Sequence, residues 1–177
     1  MILSKKNGKN LSMKPPSTNN CYNFRVISVD RIVDGDTIDV TFDLGFGICK
    51  SERIRVAGID TPEKRTRNLE EKELGIDASE WLEYKLEGAI CGEEDLVIRT
   101  ELEGGTGKFG RLLGWLYIGY PKCKDDGNCN CSCHKQTSIN EEMVVKGYAW
   151  EYDGGTKSKD LEELRIIRRE LGSLISE

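Results

Sequence analysis

Four carboxylates in two short segments, Asp34-Gly35-Asp36-Thr37 and Asp60-Thr61-Pro62-Glu63, carry the chemistry that this chain can do. Each segment leaves a stretch rich in β-branched residues, so both are expected at strand ends. Oxygen-only ligands suit a hard divalent cation such as Ca²⁺ or Mg²⁺ rather than Zn²⁺. Two guanidinium groups accompany them: Arg55, upstream of the second segment, and Arg111, in Lys108-Phe109-Gly110-Arg111-Leu112-Leu113. Paired arginines suit a phosphate that gains charge in its transition state. A hard cation, a carboxylate and two arginines together read as phosphodiester hydrolysis. Each part alone is ordinary, since Asp-Gly is a common solvated hairpin turn. The case rests on their coming together.

The elements that must bring them together can be read from periodicity. Phe24–Val29 and Thr37–Phe42 read as strands, the second with strict alternation. Asp43–Gly47 is a turn, and Arg53-Ile54-Arg55-Val56 alternates again until Pro62, which lacks an amide donor. Arg53 and Arg55 then share one face, and Arg53 reads as a plain exposed arginine. Arg55 and Asp60 are an odd number apart, so a regular strand would point them to opposite faces; a bulge at Gly58 is the expected remedy. Residues 64–73 are charged and read as a loop. Asp77–Leu86 is a helix with Ala78, Trp81, Leu82 and Leu86 on one face. Leu96–Thr100 and Leu112–Ile118 are the fourth and fifth strands, joined through Gly104–Gly107. Asn140–Tyr148 is a short helix ended by Gly147, and Lys159–Ile175 a longer one. Trp81, Trp115 and Trp150 are expected in the core. Five short strands interrupted by helices give an α+β fold, with the five-stranded OB-fold barrel capped by three helices as the candidate.

Composition narrows the field. At 177 residues the prior is one domain, and the 37% hydrophobic and 32% charged fractions fit a soluble globular protein. No apolar run approaches the roughly 20 residues of a membrane helix, and no apolar stretch follows the basic start, so neither a membrane anchor nor a secretory signal is expected. The formal net charge of −5 argues against a non-specific, high-affinity nucleic-acid coat but not against an enzyme that grips a few phosphates. Seven cysteines cannot all pair within the chain, which favours a reducing, cytoplasmic location. Residues 1–21 are polar and read as a flexible tail, leaving 22–177 as the domain.

The residues together resemble staphylococcal nuclease and its homologues over roughly residues 24–175. The likeness rests on DGDT at 34–37, Arg55 with DTPE at 60–63, KELGIDAS at 72–79, KFGR at 108–111 and INE at 139–141 ending in Gly147, in that order. The resemblance implies a calcium-dependent nuclease acting on DNA and RNA, a monomer, cleaving the 5′ P–O bond to leave 3′-phosphates. It implies Asp36 and Asp60 as Ca²⁺ ligands through their carboxylates and Thr61 through its carbonyl, with Asp34 in the ion's outer shell. Glu63 would orient or deprotonate the attacking water, and Arg55 and Arg111 would hold the phosphate. Lys108 would bind substrate, and Phe109 stands where the family commonly has tyrosine. A second family tyrosine falls near Asp153, with Tyr152 one position off. The loop Lys64-Arg65-Thr66-Arg67 is either a further source of phosphate attraction or a solvated charge run.

One insertion, at 121–136 in the hairpin after the fifth strand, stands apart from this pattern. It holds Cys123, Cys129, Cys131, Cys133 and the sole histidine, His134. Thiolate-rich clusters of this density select Zn²⁺ in a stabilising role, while local disulfides or free thiols are the other reading. Two functional classes follow for the whole chain: an active nuclease, or a catalytically weak OB module that binds nucleic acid or protein. The intact set Asp36, Asp60, Glu63, Arg55 and Arg111 favours the nuclease, because a binder has no need of it. Phe109 and the acidic balance lean the other way.

Overall fold

The computed structural model describes residues 21–91, 94–101, 111–119, 137–155 and 160–175. The tail up to residue 20, Lys108, Phe109, the glycine loop at 104–107 and the cysteine-rich insertion with Cys123, Cys129, Cys131, Cys133 and His134 lie outside the described residues.

Five strands close into a barrel: β1 (Cys21–Asp34), β2 (Thr37–Asp43), β3 (Cys49–Val56), β6 (Leu112–Ile118) and β5 (Leu96–Glu101), in that spatial order. All neighbours are antiparallel except β3 and β6. A 14-residue β1 reaches two partners, β5 through its first half and β2 along most of its length. Register shifts between Val26 and Ser28, Val29 and Arg31, and Ile32 and Asp34 interrupt its pairing with β2. Such irregularities bend and twist a strand, which lets one strand serve two sides of a small barrel. Alternation puts Ile38, Val40, Ile54, Ile98 and Leu116 inside, all with 0% exposure. Gly114 faces them as well, because a Cβ there would meet the Cγ2 atoms of Ile54 and Ile98 at 2.8 Å.

Helix α1 (Leu69–Cys91) closes one side of the barrel with Ala78, Leu82 and Leu86. It begins eight residues earlier than the apolar pattern indicates and takes in half of the expected charged loop. The reason is a cap: Asn68 Oδ1 accepts from the amides of Glu70 and Glu71 at 3.0 and 3.4 Å, with both acids favourably placed in the first turn. Trp81 sits at the helix margin, stacked on Tyr148, while Trp115 and Trp150 are buried. Helix α2 (Ile139–Val145) starts in a capping box between Ser138 and Glu141 and is followed by Gly147 at φ +73°. Helix α3 (Leu161–Ile175) starts after Asp160, whose Oδ1 accepts from the amides of Glu162 and Glu163. No helix among the described residues is long and apolar enough to cross a membrane.

The parallel seam between β3 and β6 is short, three residue pairs from Ile54–Leu112 to Val56–Gly114. Where the strands part, fully buried Asn140 of α2 takes over. Its Nδ2 donates to the carbonyls of Ala57 and Gly114, at 2.7 and 3.3 Å, and its Oδ1 accepts from the amide of Leu116 at 2.9 Å. Buried backbone groups left unpaired are costly, so one side chain completes the ladder that the strands cannot. A final two-stranded ribbon, β4 (Ile59–Asp60) against β7 (Trp150–Glu151), lies outside the sequence reading; each strand is only two residues long, too short for periodicity to register.

Candidate functional site

Asp34 and Thr37 face each other across the β1–β2 hairpin, so Gly35 and Asp36 form its two-residue turn. Gly35 has no positive φ; its small size matters because a Cβ would sit 3.0 Å from Thr61 Oγ1 and 3.1 Å from Ala78 Cβ. The turn is therefore pressed against the start of the second acidic segment and against α1. Asp36 is fixed by its own neighbours, since Thr37 Oγ1 donates to its Oδ1 at 2.9 Å and the amide of Val56 donates to its carbonyl at 2.8 Å.

Thr37 lies opposite Arg55 in the β2–β3 ladder, which aims Arg55 at this turn. The chain then reverses at Ala57-Gly58, with Gly58 at φ +73°, and comes back as β4. This is a tight turn rather than the bulge expected from the odd spacing, and it has the same consequence. Arg55 Nη1 pairs with Asp36 Oδ2, while Nη2 pairs with Asp60 Oδ1 at 2.9 Å and donates to the Ile59 carbonyl at 3.1 Å. All three charged groups are buried, at 8%, 7% and 3% exposure for Arg55, Asp36 and Asp60, and Thr61 beside them at 5%. Burial works against the Arg55 charge, but Asp36 and Asp60 outweigh it and hold the guanidinium above its ordinary value. Three of its five N–H donors are taken by these contacts, leaving two for a ligand.

Of the other expected site residues, Tyr152, Arg111 and Glu63 lie among the described residues. Tyr152, one position away from where the resemblance placed a tyrosine, lies beside Arg55, whose guanidinium carbon is 5.9 Å from the ring centroid. The Tyr152 amide donates to the Gly58 carbonyl at 2.8 Å, so the same turn that returns Asp60 to Arg55 seats this ring. Arg111 precedes β6, two residues before Leu113, the register partner of Arg55; strand alternation puts Arg111 and Arg55 on one face of the seam. Glu63 is exposed and follows buried Pro62. Arg53 lies on the outer face as expected, held by Asp39 through two contacts at 2.6 and 2.8 Å.

Gly75, which carries no chemistry of its own, is missed by motif reading beyond its place in KELGIDAS. A Cβ at Gly75 would lie 2.6 Å from the Pro62 carbonyl oxygen and 2.7 Å from the Lys64 amide nitrogen, with Glu63 between them. Helix α1 thus sets the height of the peptide that bears Glu63. The only sequence signal is a glycine inside a helix, which is unfavourable unless something must approach closely.

Asp34 is half-buried, and its Oδ1 accepts from the Gly35 amide at 3.0 Å. Burial, assisted by the charge of Asp36, pushes its carboxyl above the ordinary value of 3.8, against the pull of the Gly35 amide, Lys64 and Arg65. A carboxyl whose folded value exceeds its unfolded one binds protons on folding, so its ionised form costs stability at neutral pH and costs nothing once both states are protonated. In EDTA, Asp34→Asn is therefore expected to raise the midpoint of thermal unfolding at pH 7. The gain should vanish well below pH 3.8. A variant less stable than wild type at pH 7 would show that the carboxylate is favourably held instead.

The donors gathered here are of the type a hard cation takes. Asp34, Asp36 and Asp60 against Arg55 leave a net negative charge, and every donor is oxygen, as Ca²⁺ or Mg²⁺ requires. No group of three or more Asp, Glu, His or Cys side chains able to cage a metal occurs among the described residues. Carbonyl oxygen and water would thus complete the shell, in keeping with two carboxylates and the Thr61 carbonyl.

Residues 53–170 match the model of the staphylococcal nuclease homologue family. The match takes in Arg55, Asp60, Glu63, Arg111 and Tyr152 but begins after the Asp34–Thr37 turn, whose place in the site stands on the geometry. Among curated proteins, the chain is 29% identical over 147 residues to Protein ParB of Escherichia coli, covering 83% of this chain and 68% of that protein. It is 27% identical over 150 residues to Endonuclease YncB of Bacillus subtilis (strain 168), covering 83% of this chain and 58% of the relative. It is 28% identical over 137 residues to SPbeta prophage-derived endonuclease YokF of the same organism, covering 76% of this chain and 38% of the relative. The chain thus spans well under two thirds of the two Bacillus relatives.

Proposed function

The chain belongs to the staphylococcal nuclease homologue family, and from that premise we propose that it is a Ca²⁺-dependent endonuclease hydrolysing phosphodiester bonds of DNA and RNA by 5′ P–O cleavage. The observation that carries this reading is the buried Asp36–Arg55–Asp60 bridge, which joins carboxylates of the kind a cation takes to a guanidinium of the kind a phosphate takes. Two of the similar proteins bear the name endonuclease, which agrees with it.

In this mechanism Glu63 accepts the proton of a water whose oxygen attacks phosphorus, and the bond from phosphorus to the 5′ oxygen breaks. The products are a 3′-phosphate and a 5′-hydroxyl that takes a proton from solvent. The two remaining N–H groups of Arg55, together with Arg111, hold the phosphate oxygens as their charge grows, which is where a hydrogen bond counts towards rate. Tyr152 sets its ring beside Arg55. When bound by Asp36, Asp60 and the Thr61 carbonyl, Ca²⁺ supplies positive charge against the phosphate.

Plasmid digestion in Ca²⁺, in Mg²⁺ and in EDTA tests the proposal. Cleavage with Ca²⁺, leaving ends that a 3′-phosphatase must treat before a polymerase can extend them, is the expected result. Full cleavage in EDTA, or 5′-phosphate ends, would overturn it.

A further inference from the structure

The segment after Glu63 carries three cations, Lys64, Arg65 and Arg67, and no acid until Glu70. Several other arginines sit on carboxylates, Arg25 on Asp43, Arg53 on Asp39, Arg165 on Glu70, Arg168 on Asp77 and Arg169 on Glu162, while Arg99 donates to Asn23 and lies over the Tyr117 ring. Arg65 and Arg67 are exposed, and their side chains make no ion pair or hydrogen bond among the described residues. In a chain with net charge −5 this is a local reversal of sign, and it adjoins the site just described.

The segment is also anchored. At its start, Lys64 Nζ donates to the Ile32 carbonyl at 3.4 Å, two residues before Asp34, and Gly75 bears on the backbone from Pro62 to Lys64. At its end Asn68 caps α1, and its amide donates to Thr66 Oγ1 at 3.2 Å. Both ends of the arginine pair are thus tied to elements that build the site, while the guanidinium groups face solvent.

We propose that Lys64, Arg65 and Arg67 form a subsite for backbone phosphates next to the scissile one, a reading that rests on the nuclease function proposed above. Such contacts neutralise phosphates and release counterions, so they act on polymeric substrate and have nothing to hold in a minimal diester.

Two measurements on Arg65→Ala/Arg67→Ala test this. The first is binding of a short single-stranded DNA in EDTA as a function of salt. Each lost phosphate contact lowers the slope of log K against log salt by about 0.7, so the slope should fall by about 1.4. Arg65→Lys/Arg67→Lys should keep it, since a point charge suffices for this effect. The second compares kcat/KM on the oligonucleotide with that on bis(p-nitrophenyl) phosphate, and the ratio should fall about tenfold. An unchanged slope, no binding by wild type, or equal losses on both substrates would overturn the subsite. A wild type that cleaves neither substrate would overturn the nuclease reading, and the salt slope would still decide the subsite by itself.

Discussion

Glu63→Gln is expected to lower the rate of DNA cleavage about 10²–10⁴-fold while leaving the fold and its melting temperature in place. The amide has nearly the shape of the carboxylate but cannot take up a proton at neutral pH. Glu63 is exposed, so no core contact is lost with the change, and Gly75 continues to hold the backbone on either side of it. The loss should appear in kcat with KM little altered, because proton acceptance matters only as the water attacks. Steady-state kinetics on one oligonucleotide, beside a thermal melt, makes the check. A variant with undiminished kcat would remove Glu63 from the reaction, and one that unfolds would show a structural role that its exposure does not indicate.

Arg55→Met is expected to act on stability and activity together. Breaking a buried ion pair from one side leaves the other side uncompensated, at a cost of about 3–5 kcal/mol. Here the loss takes the Arg55 guanidinium away from two buried carboxylates, Asp36 and Asp60. Denaturation by urea in EDTA should show the full cost, and millimolar Ca²⁺ should restore part of it by placing positive charge between the same acids. Cleavage should fall by about 10²–10³ from the loss of phosphate donors alone. Arg53→Met is the internal control: its pair with Asp39 lies at the surface, and such solvent-screened pairs add little to stability. Equal destabilisation by the two substitutions would mean that the Asp36–Arg55–Asp60 bridge is not held as tightly as its burial implies.

The strands that carry the site were legible because alternation is a local property: Thr37–Phe42, Arg53–Val56 and Leu112–Ile118 lie within β2, β3 and β6. The start of α1 was not, since the apolar spacing begins late and a polar cap, Asn68, decides where the helix begins. Asn140 likewise looked like part of a helix start and proved to be the side chain that completes the β3–β6 seam.

Residue type and order alone determined which groups could act: acids for a hard cation, arginines for phosphate, and a family likeness in their succession. Spacing could not say that Arg55 meets both Asp36 and Asp60, because a strand of regular pleat would have turned Arg55 and Asp60 apart. Only the reversal at Gly58 and the barrel register of Thr37 against Arg55 bring the three together. The same holds for the two glycines. Gly35 and Gly75 act in the folded protein through their small volume, which lets the hairpin turn approach Thr61 and lets α1 approach the peptide of Glu63. Close approach between segments far apart in sequence leaves no periodic trace, so tertiary structure alone decides it.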